Sequence, residues 1–333
     1  HILDAKPPVV LIAGGRPSLA KPFEKEGIKV FLHVPSSALL DMFLKENAKN
    51  FIFEGRESGG HIGPLFSLVL WERQIQRLLK EEDLSSIRVF FAGGVHDSLS
   101  SAFVSIMSAT LSAKGAMVGV LMGTSYLYRK EIVETGAILS GFQEQAISCN
   151  ETISLEAAPG QETRSLKSPF TDFFQEEKKM LQNEYSDSRE VWMRLEDLNL
   201  GRSRIATKGI ERIGTDLVKL NEKEQVEKGL YMIGQIASMR CEAFTIEQLH
   251  TQVAIDNNKL IEELPDMPLP ESEVTPMDVA IVGISCIFPD AKNIEEYWRN
   301  IVLGKDCVTE VPDSRWNKDL YFNQNTRDTD YVV

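Results

Sequence analysis

The chain has 333 residues, 43% of them hydrophobic and 26% charged, enough to build a sizeable core in one large domain or a few smaller ones. Its formal net charge of −13 and pI near 5.0 exclude nucleic acid or an anionic membrane as main partner, because phosphate binding needs clustered Lys and Arg. No stretch approaches the roughly 18 apolar residues of a membrane span, and the N-terminus HILDAKPPVV has no signal-peptide pattern.

The first 135 residues alternate between two patterns. Residues 8–14, 29–34, 50–55, 88–94 and 117–123 are short runs rich in Val, Ile and Phe, apolar on both sides, as fully buried parallel strands read. Residues 18–27, 36–48, 67–83 and 98–115 are helical in spacing; the third carries Leu68, Trp71, Ile75, Leu78 and Leu79 on one face. This alternation predicts βαβ units and a parallel sheet.

After about residue 140 the character changes. Residues 141–170 are mixed, with loop signals at Pro159-Gly160 and Ser168-Pro169. Helical spacing then dominates over 170–185, 188–199, 222–240 and 244–264, the last opening on a possible Thr245/Gln248 capping box. Residues 264–277 set four prolines among acids and read as an extended linker. A buried strand over 277–289 and a helix over 293–306, closed by Gly304, follow. The domain plan is therefore 1–140, 141–263, a linker 264–277, and 278–333. Both ends of the chain look cut, as in a fragment.

Three glycine-bearing turns follow three successive strands: Gly59-Gly60-His61, Gly93-Gly94 and Gly123-Thr124. In a (β/α) barrel such turns gather at the carboxyl ends of the strands, and the last two would cup a phosphate. Cys149, Cys241, Cys286 and Cys307 form no CxxC pair and no His/Cys cluster has zinc spacing, so no metal is expected and a reduced cytoplasmic setting fits. Of the other polar residues, Asp97 is read as an N-cap, Glu57 as solvated, Arg56 as a surface residue, and His33 and His250 as structural.

GRESGGHIGP, FAGGVHD and GVLMGTSYL resemble the signature of the nitronate monooxygenase (2-nitropropane dioxygenase) family and its flavin-dependent enoyl reductase relatives, which are FMN-binding TIM barrels. Residues 136–147, 155–170 and 201–209 are similar to the segment that follows this barrel in large polyketide and polyunsaturated-fatty-acid synthases. Residues 278–316 resemble the first strand and helix of a type I ketosynthase.

The resemblance implies an α/β chain: a partial TIM barrel, a helical subdomain, and the start of a ketosynthase. It puts His61 at the catalytic base position, Gly59 and Gly60 beside the flavin, and Gly93, Gly94, Gly123 and Thr124 around the FMN phosphate. It also implies NAD(P)H as co-substrate and an acyl chain on the phosphopantetheine of an acyl carrier protein. The other partners would be the rest of the synthase, in a parent that is dimeric through its ketosynthase. The alternatives are nitronate oxidation and a flavin-free docking scaffold.

Two departures stand out. The five strands match the family's fourth to eighth, and a closed barrel needs roughly 200 residues where this region supplies about 140. Weak FMN binding and no activity are therefore expected of the chain alone. The ketosynthase region also stops before that family's nucleophilic cysteine, so this chain alone would not condense acyl groups.

Overall fold

The computed structural model describes residues 1–263, 287–312, 314–317, 320 and 322. It comprises two compact units, His1–Pro265 and Asp266–Val333.

The first unit opens with a single turn, α1 (Ile2–Ala5), and then alternates as read from the sequence: β1 (Val9–Ile12), α2 (Pro17–Glu24), β2 (Lys29–His33), α3 (Ser37–Lys45), β3 (Asn50–Glu54), β4 (Gly60–Ile62), α4 (Ser67–Leu78), β5 (Arg88–Ala92), α5 (Ser98–Ala113) and β6 (Met117–Leu121). All but β4 of these strands form one parallel sheet in the order β1-β2-β3-β5-β6. With helices between its strands, this sheet is an arc of the TIM-barrel type. β1 and β6 are its edges, where Val9, Leu11 and Met117 are exposed.

Alternation along each strand sorts the side chains between two faces. Val30, Leu32, Phe51, Phe53, Val89 and Phe91 pack with Leu40, Phe43, Leu70 and Trp71 of the helices into the main core. The Trp71 indole donates to the Phe53 carbonyl at 2.9 Å, which fixes α4 on β3. On the opposite face Phe31, Ile52, Phe90, Ala92 and Leu121 form a second, smaller cluster.

Beyond β6 come three short helices, α6 (Thr124–Leu127), α7 (Lys130–Glu134) and α8 (Ser140–Ile147), and then a hairpin of β7 (Thr152–Ala158) and β8 (Gln161–Leu166). Gly160, at φ +76°, takes the left-handed conformation that closes its turn. β8 also pairs with β4, giving a three-stranded antiparallel sheet in the order β4-β8-β7.

Helices α9 (Pro169–Glu184) and α10 (Ser188–Asn199) cover this sheet through Phe170, Phe174, Leu181, Val191 and Leu195, packed against Leu155 and Ala157. They are followed by α11 (Arg202–Lys208), the hairpin β9 (Ile210–Ile213) and β10 (Asp216–Lys219), and α12 (Glu222–Lys228).

The helix expected over 222–240 stops at Lys228. The next residue is Gly229, whose Cβ would sit 2.6 Å from the Gln225 carbonyl oxygen. Residues 229–234 run without helical structure, and a 3-10 turn, Gln235–Met239, follows. The segment is nonetheless core: Leu230, Tyr231, Ile233 and Ala237 are all buried. The helix expected over 244–264 is present as α13 (Ile246–Thr251) and α14 (Asn257–Glu262), joined by a π turn, Gln252–Asp256. At that turn the Val253 carbonyl accepts from Ser101 Oγ of α5 at 2.8 Å, an outside partner of the kind that accompanies such turns.

The expected linker, 264–277, and the expected strand over 277–289 up to residue 286, with Cys286, lie outside the described residues. In the second unit α15 (Ile294–Val302) is capped by Asn293, whose Oδ1 accepts from the Glu296 amide at 2.9 Å. Phe288 stacks on Tyr297 with ring centroids 4.0 Å apart.

Candidate functional site

Past the carboxyl ends of β2, β3, β5 and β6 lies a cavity of about 420 Å³. Five of the predicted glycines line it (Gly59, Gly60, Gly93, Gly94 and Gly123), as does Thr124. The turns after β5 and β6 are tied to one another, because Ser125 Oγ donates to the Val95 carbonyl at 2.9 Å. Gly93 has φ +101°, and a Cβ there would lie 2.8 Å from Ser67 Oγ. Gly94 has φ +79° with open space where a Cβ would stand, and Gly123 faces open space too.

The third wall comes from afar. Gly59 packs directly on the backbone of residues 233–234: its Cβ would meet the Ile233 carbonyl carbon at 2.5 Å. Thr124 Oγ1 accepts from the Gly234 amide at 2.8 Å, and the Glu57 carbonyl accepts from the Gln235 amide at 2.9 Å. The glycine at 59 is thus required by close packing of two chain segments, a different reason from room for a ligand. Met232, Gly234 and Ile236 line the cavity, although nothing in the strand–helix reading of residues 1–135 pointed to them. Gly229 and Gly234 within an otherwise apolar run were the available signal.

His61 is placed differently from its glycine neighbours. It belongs to β4, not to a turn, and pairs with Thr163 of β8. Gly60 and Ile62 are buried while His61 is exposed, as strand alternation requires. It lies outside the glycine-lined cavity and borders two adjoining ones, of about 580 and 550 Å³.

Other side chains depart from expectation. Glu57 is not simply solvated. Its carboxylate accepts from the Ser67 amide at 3.0 and 3.2 Å and from Ser67 Oγ at 2.8 Å, capping α4 beside the cavity. Arg56 is not a free surface residue. It pairs with Glu162 of β8, and this bond, with a second from Ser154, holds the Glu162 carboxyl below its usual range. Asp97 caps α5 as expected, accepting from the Ser100 amide at 2.9 Å. Burial pushes its carboxyl up, but the bonds from Ser100 outweigh that and hold it low. His96 is buried with Nδ1 2.8 Å from the Gly94 carbonyl, and Tyr126 reaches His250 Nε2 at 2.8 Å. His33, read as structural, has its Nδ1 2.9 Å from Glu54 Oε2 at the cavity.

The cavity volume falls within the roughly 300–1,000 Å³ usual for small-molecule sites. Its two carboxylates are already engaged, Glu54 by His33 and Glu57 by Ser67. No Lys or Arg among the described residues lines it, so an anion there would rely on main-chain amides of the glycine turns and on Thr124. The open space at Gly94 and Gly123 leaves room at these turns for a group of that kind. Among the described residues there is no helix long and apolar enough to cross a membrane, and no group of three or more His, Cys, Asp or Glu able to hold a metal ion.

Comparison with known proteins adds two likenesses. Residues 277–332 match the family "beta-ketoacyl synthase, N-terminal domain". The chain is 50% identical over 52 residues to polyketide synthase PksN of Bacillus subtilis, 16% of this chain and 1% of that protein. It is 37% identical over 71 residues to PksL of the same organism, 21% of this chain and 2% of that protein. Polyketide synthase ThaG of Burkholderia thailandensis is 38% identical over 45 residues, 14% of this chain and 1% of that protein. The chain thus spans a very small part of the curated relatives that it matches.

Among solved structures, FabK from Thermotoga maritima superposes with a TM-score of 0.58 at 25% identity, covering 79% of this chain and 72% of FabK. A nitroalkane oxidase from Streptomyces ansochromogenes shares the fold, with a TM-score of 0.50 at 18% identity over 78% of this chain and 67% of that one.

Proposed function

We propose that this chain is a segment of a polyketide synthase, in which an FMN-dependent enoyl reductase module precedes the start of a ketosynthase. The single observation that carries this reading is the pair of glycine turns, Gly93-Gly94 and Gly123-Thr124, tied by Ser125 to Val95 and open to one cavity. Gly94 and Gly123 leave space for the phosphate, and main-chain amides with the Thr124 hydroxyl hold it. Gly59 and Gly60 wall the ring side. FMN, when bound and reduced by NAD(P)H, supplies a hydride for the β-carbon of an enoyl thioester. His61 stands on the wall of the adjoining cavity, where its imidazole is open to the acyl substrate. The acyl chain arrives on the phosphopantetheine of a carrier protein domain of the same synthase.

The test uses the full-length protein that carries this sequence. A yellow protein absorbing near ~450 nm, bleached by NAD(P)H and reoxidised by an enoyl thioester, is the expected result. A colourless protein that takes up no added FMN would falsify the reading and favour a docking scaffold. Rapid turnover of a nitronate without NAD(P)H would move the chemistry to a monooxygenase.

A further inference from the structure

The inner face of the parallel sheet carries an apolar layer, with Lys29, Asn50 and Arg88 two residues before it on the same alternation. Phe31 on β2, Ile52 on β3 and Phe90 with Ala92 on β5 form its cluster, along with Leu121. Two residues beyond Phe31, on the same face, stands His33; two beyond Ile52 stands Glu54. The sheet thus ends its apolar layer in an imidazole and a carboxylate on neighbouring strands, with Nδ1 and Oε2 2.9 Å apart. Strand packing does not need such a pair, because Val or Ile would serve there at lower desolvation cost.

Its position is specific. His33 and Glu54 line the glycine-lined cavity and also the adjoining cavity of about 580 Å³, so the pair stands where the two spaces meet. His61 borders only the second of these. The larger space is mainly apolar, with Leu39, Met42 and Phe43 on its wall, as suits an acyl chain. The side chains of His33 and Glu54 remain about a quarter accessible, 24% and 23%. Nε2 of His33 has no partner among the described residues and is not sealed from the cavity.

We propose that His33 is a catalytic acid–base group at this junction, with Glu54 as its positioning residue; this rests on the enoyl reductase reading above. With the carboxylate against Nδ1, the ring turns Nε2 to the reacting thioester. After hydride has reached the β-carbon, the α-carbon takes the proton from Nε2. A C–H bond forms, the N–H bond breaks, and its electron pair stays on Nε2. The neutral ring is then reprotonated from solvent through the open cavity, and Glu54 exchanges no proton in the step.

The experiment compares wild type with H33N, H33Q and E54Q in the full-length protein. Normalised to bound flavin, the rate of flavin reduction by NAD(P)H should fall much less than the rate of reoxidation in the His33 and Glu54 variants. Reoxidation by a crotonyl thioester should slow by roughly 100-fold or more in H33N and H33Q, and about tenfold in E54Q. Reoxidation within twofold of wild type in both His33 variants overturns the assignment. A second readout needs no turnover: diethyl pyrocarbonate should modify His33, mapped by peptide mass, and a saturating crotonyl thioester should shield it. His33 left unmodified, or modified equally with and without the thioester, also overturns it. A colourless protein whose His33 is still shielded would sink the flavin reading while leaving this site in place.

Discussion

Gly59 and Gly234 approach more closely than any residue with a side chain would allow: a Cβ on Gly59 would lie 2.7 Å from the Gly234 amide nitrogen. The converse holds too, since a Cβ on Gly234 would lie 2.7 Å from the Glu57 carbonyl oxygen. Both obstacles are backbone, so no side-chain rotation relieves them. Gly59→Ala and Gly234→Ala should each destabilise the first unit by about 1–3 kcal/mol. Urea unfolding measures this, and a midpoint equal to wild type would refute the close approach.

Gly123 makes the opposite case. Its φ of −106° suits any residue, and the space where its Cβ would stand is empty. Gly123→Ala should leave stability within about 0.5 kcal/mol of wild type. In the full-length protein it should weaken FMN binding at least tenfold, about 1.4 kcal/mol, by filling the cup. Equal flavin affinity in the two proteins would remove Gly123 from the phosphate site.

The Arg56–Glu162 pair predicts an acid limb in stability. Arg56 first, and Ser154 second, hold the Glu162 carboxyl below its ordinary 4.5. A carboxyl lowered by folding contributes stability that is complete above the unfolded value and lost as pH falls through the folded one. Wild type should therefore lose stability as pH falls below 4.5 more steeply than Glu162→Gln, which has no carboxyl to protonate. Parallel unfolding curves over that range would show that the pair contributes nothing.

Asp97 caps α5 and sits next to His96, whose ring bonds the Gly94 carbonyl. Asp97→Ala removes the acceptor for the Ser100 amide and should cost about 1 kcal/mol. Asp97→Asn, which keeps a capping oxygen, should recover most of that in the same unfolding assay.

What could be read ahead of the structure divides along physical lines. The parallel strands were legible because burial on both faces writes them as unbroken apolar runs: NFIFE and RVFFA need no partner to be recognised. The β7–β8 hairpin was not, although Pro159-Gly160 marked its turn. Its strands mix Glu and Arg with Leu and Ala because β8 lies between two other strands, bonds Ser154 and Thr152 of β7 through Glu162 and Arg164, and pairs with Arg56 ahead of β4. The glycines of the cavity were legible in position, whereas the reason for Gly59 was not, since it depends on a backbone contact with residues 233–234. The His33–Glu54 pair could have been found by extending alternation to the strand ends, where Phe31 and Ile52 already mark the inner face.

The pairing of Gly60 with Arg164 and of His61 with Thr163 carries a consequence for how the molecule is made. The segment bearing His61 emerges from the ribosome about a hundred residues before its strand partner, and Gly59 precedes its own contact by still more. The parallel arc can condense early, from neighbours in the chain, while the site waits for closures of long sequence separation. Nascent chains halted before residue 160 should therefore protect the amides of β2, β3 and β5 from exchange yet leave those of residues 58–62 open. Assembly of the cavity is then a late event in synthesis, complete only when residues 232–236 have followed the hairpin.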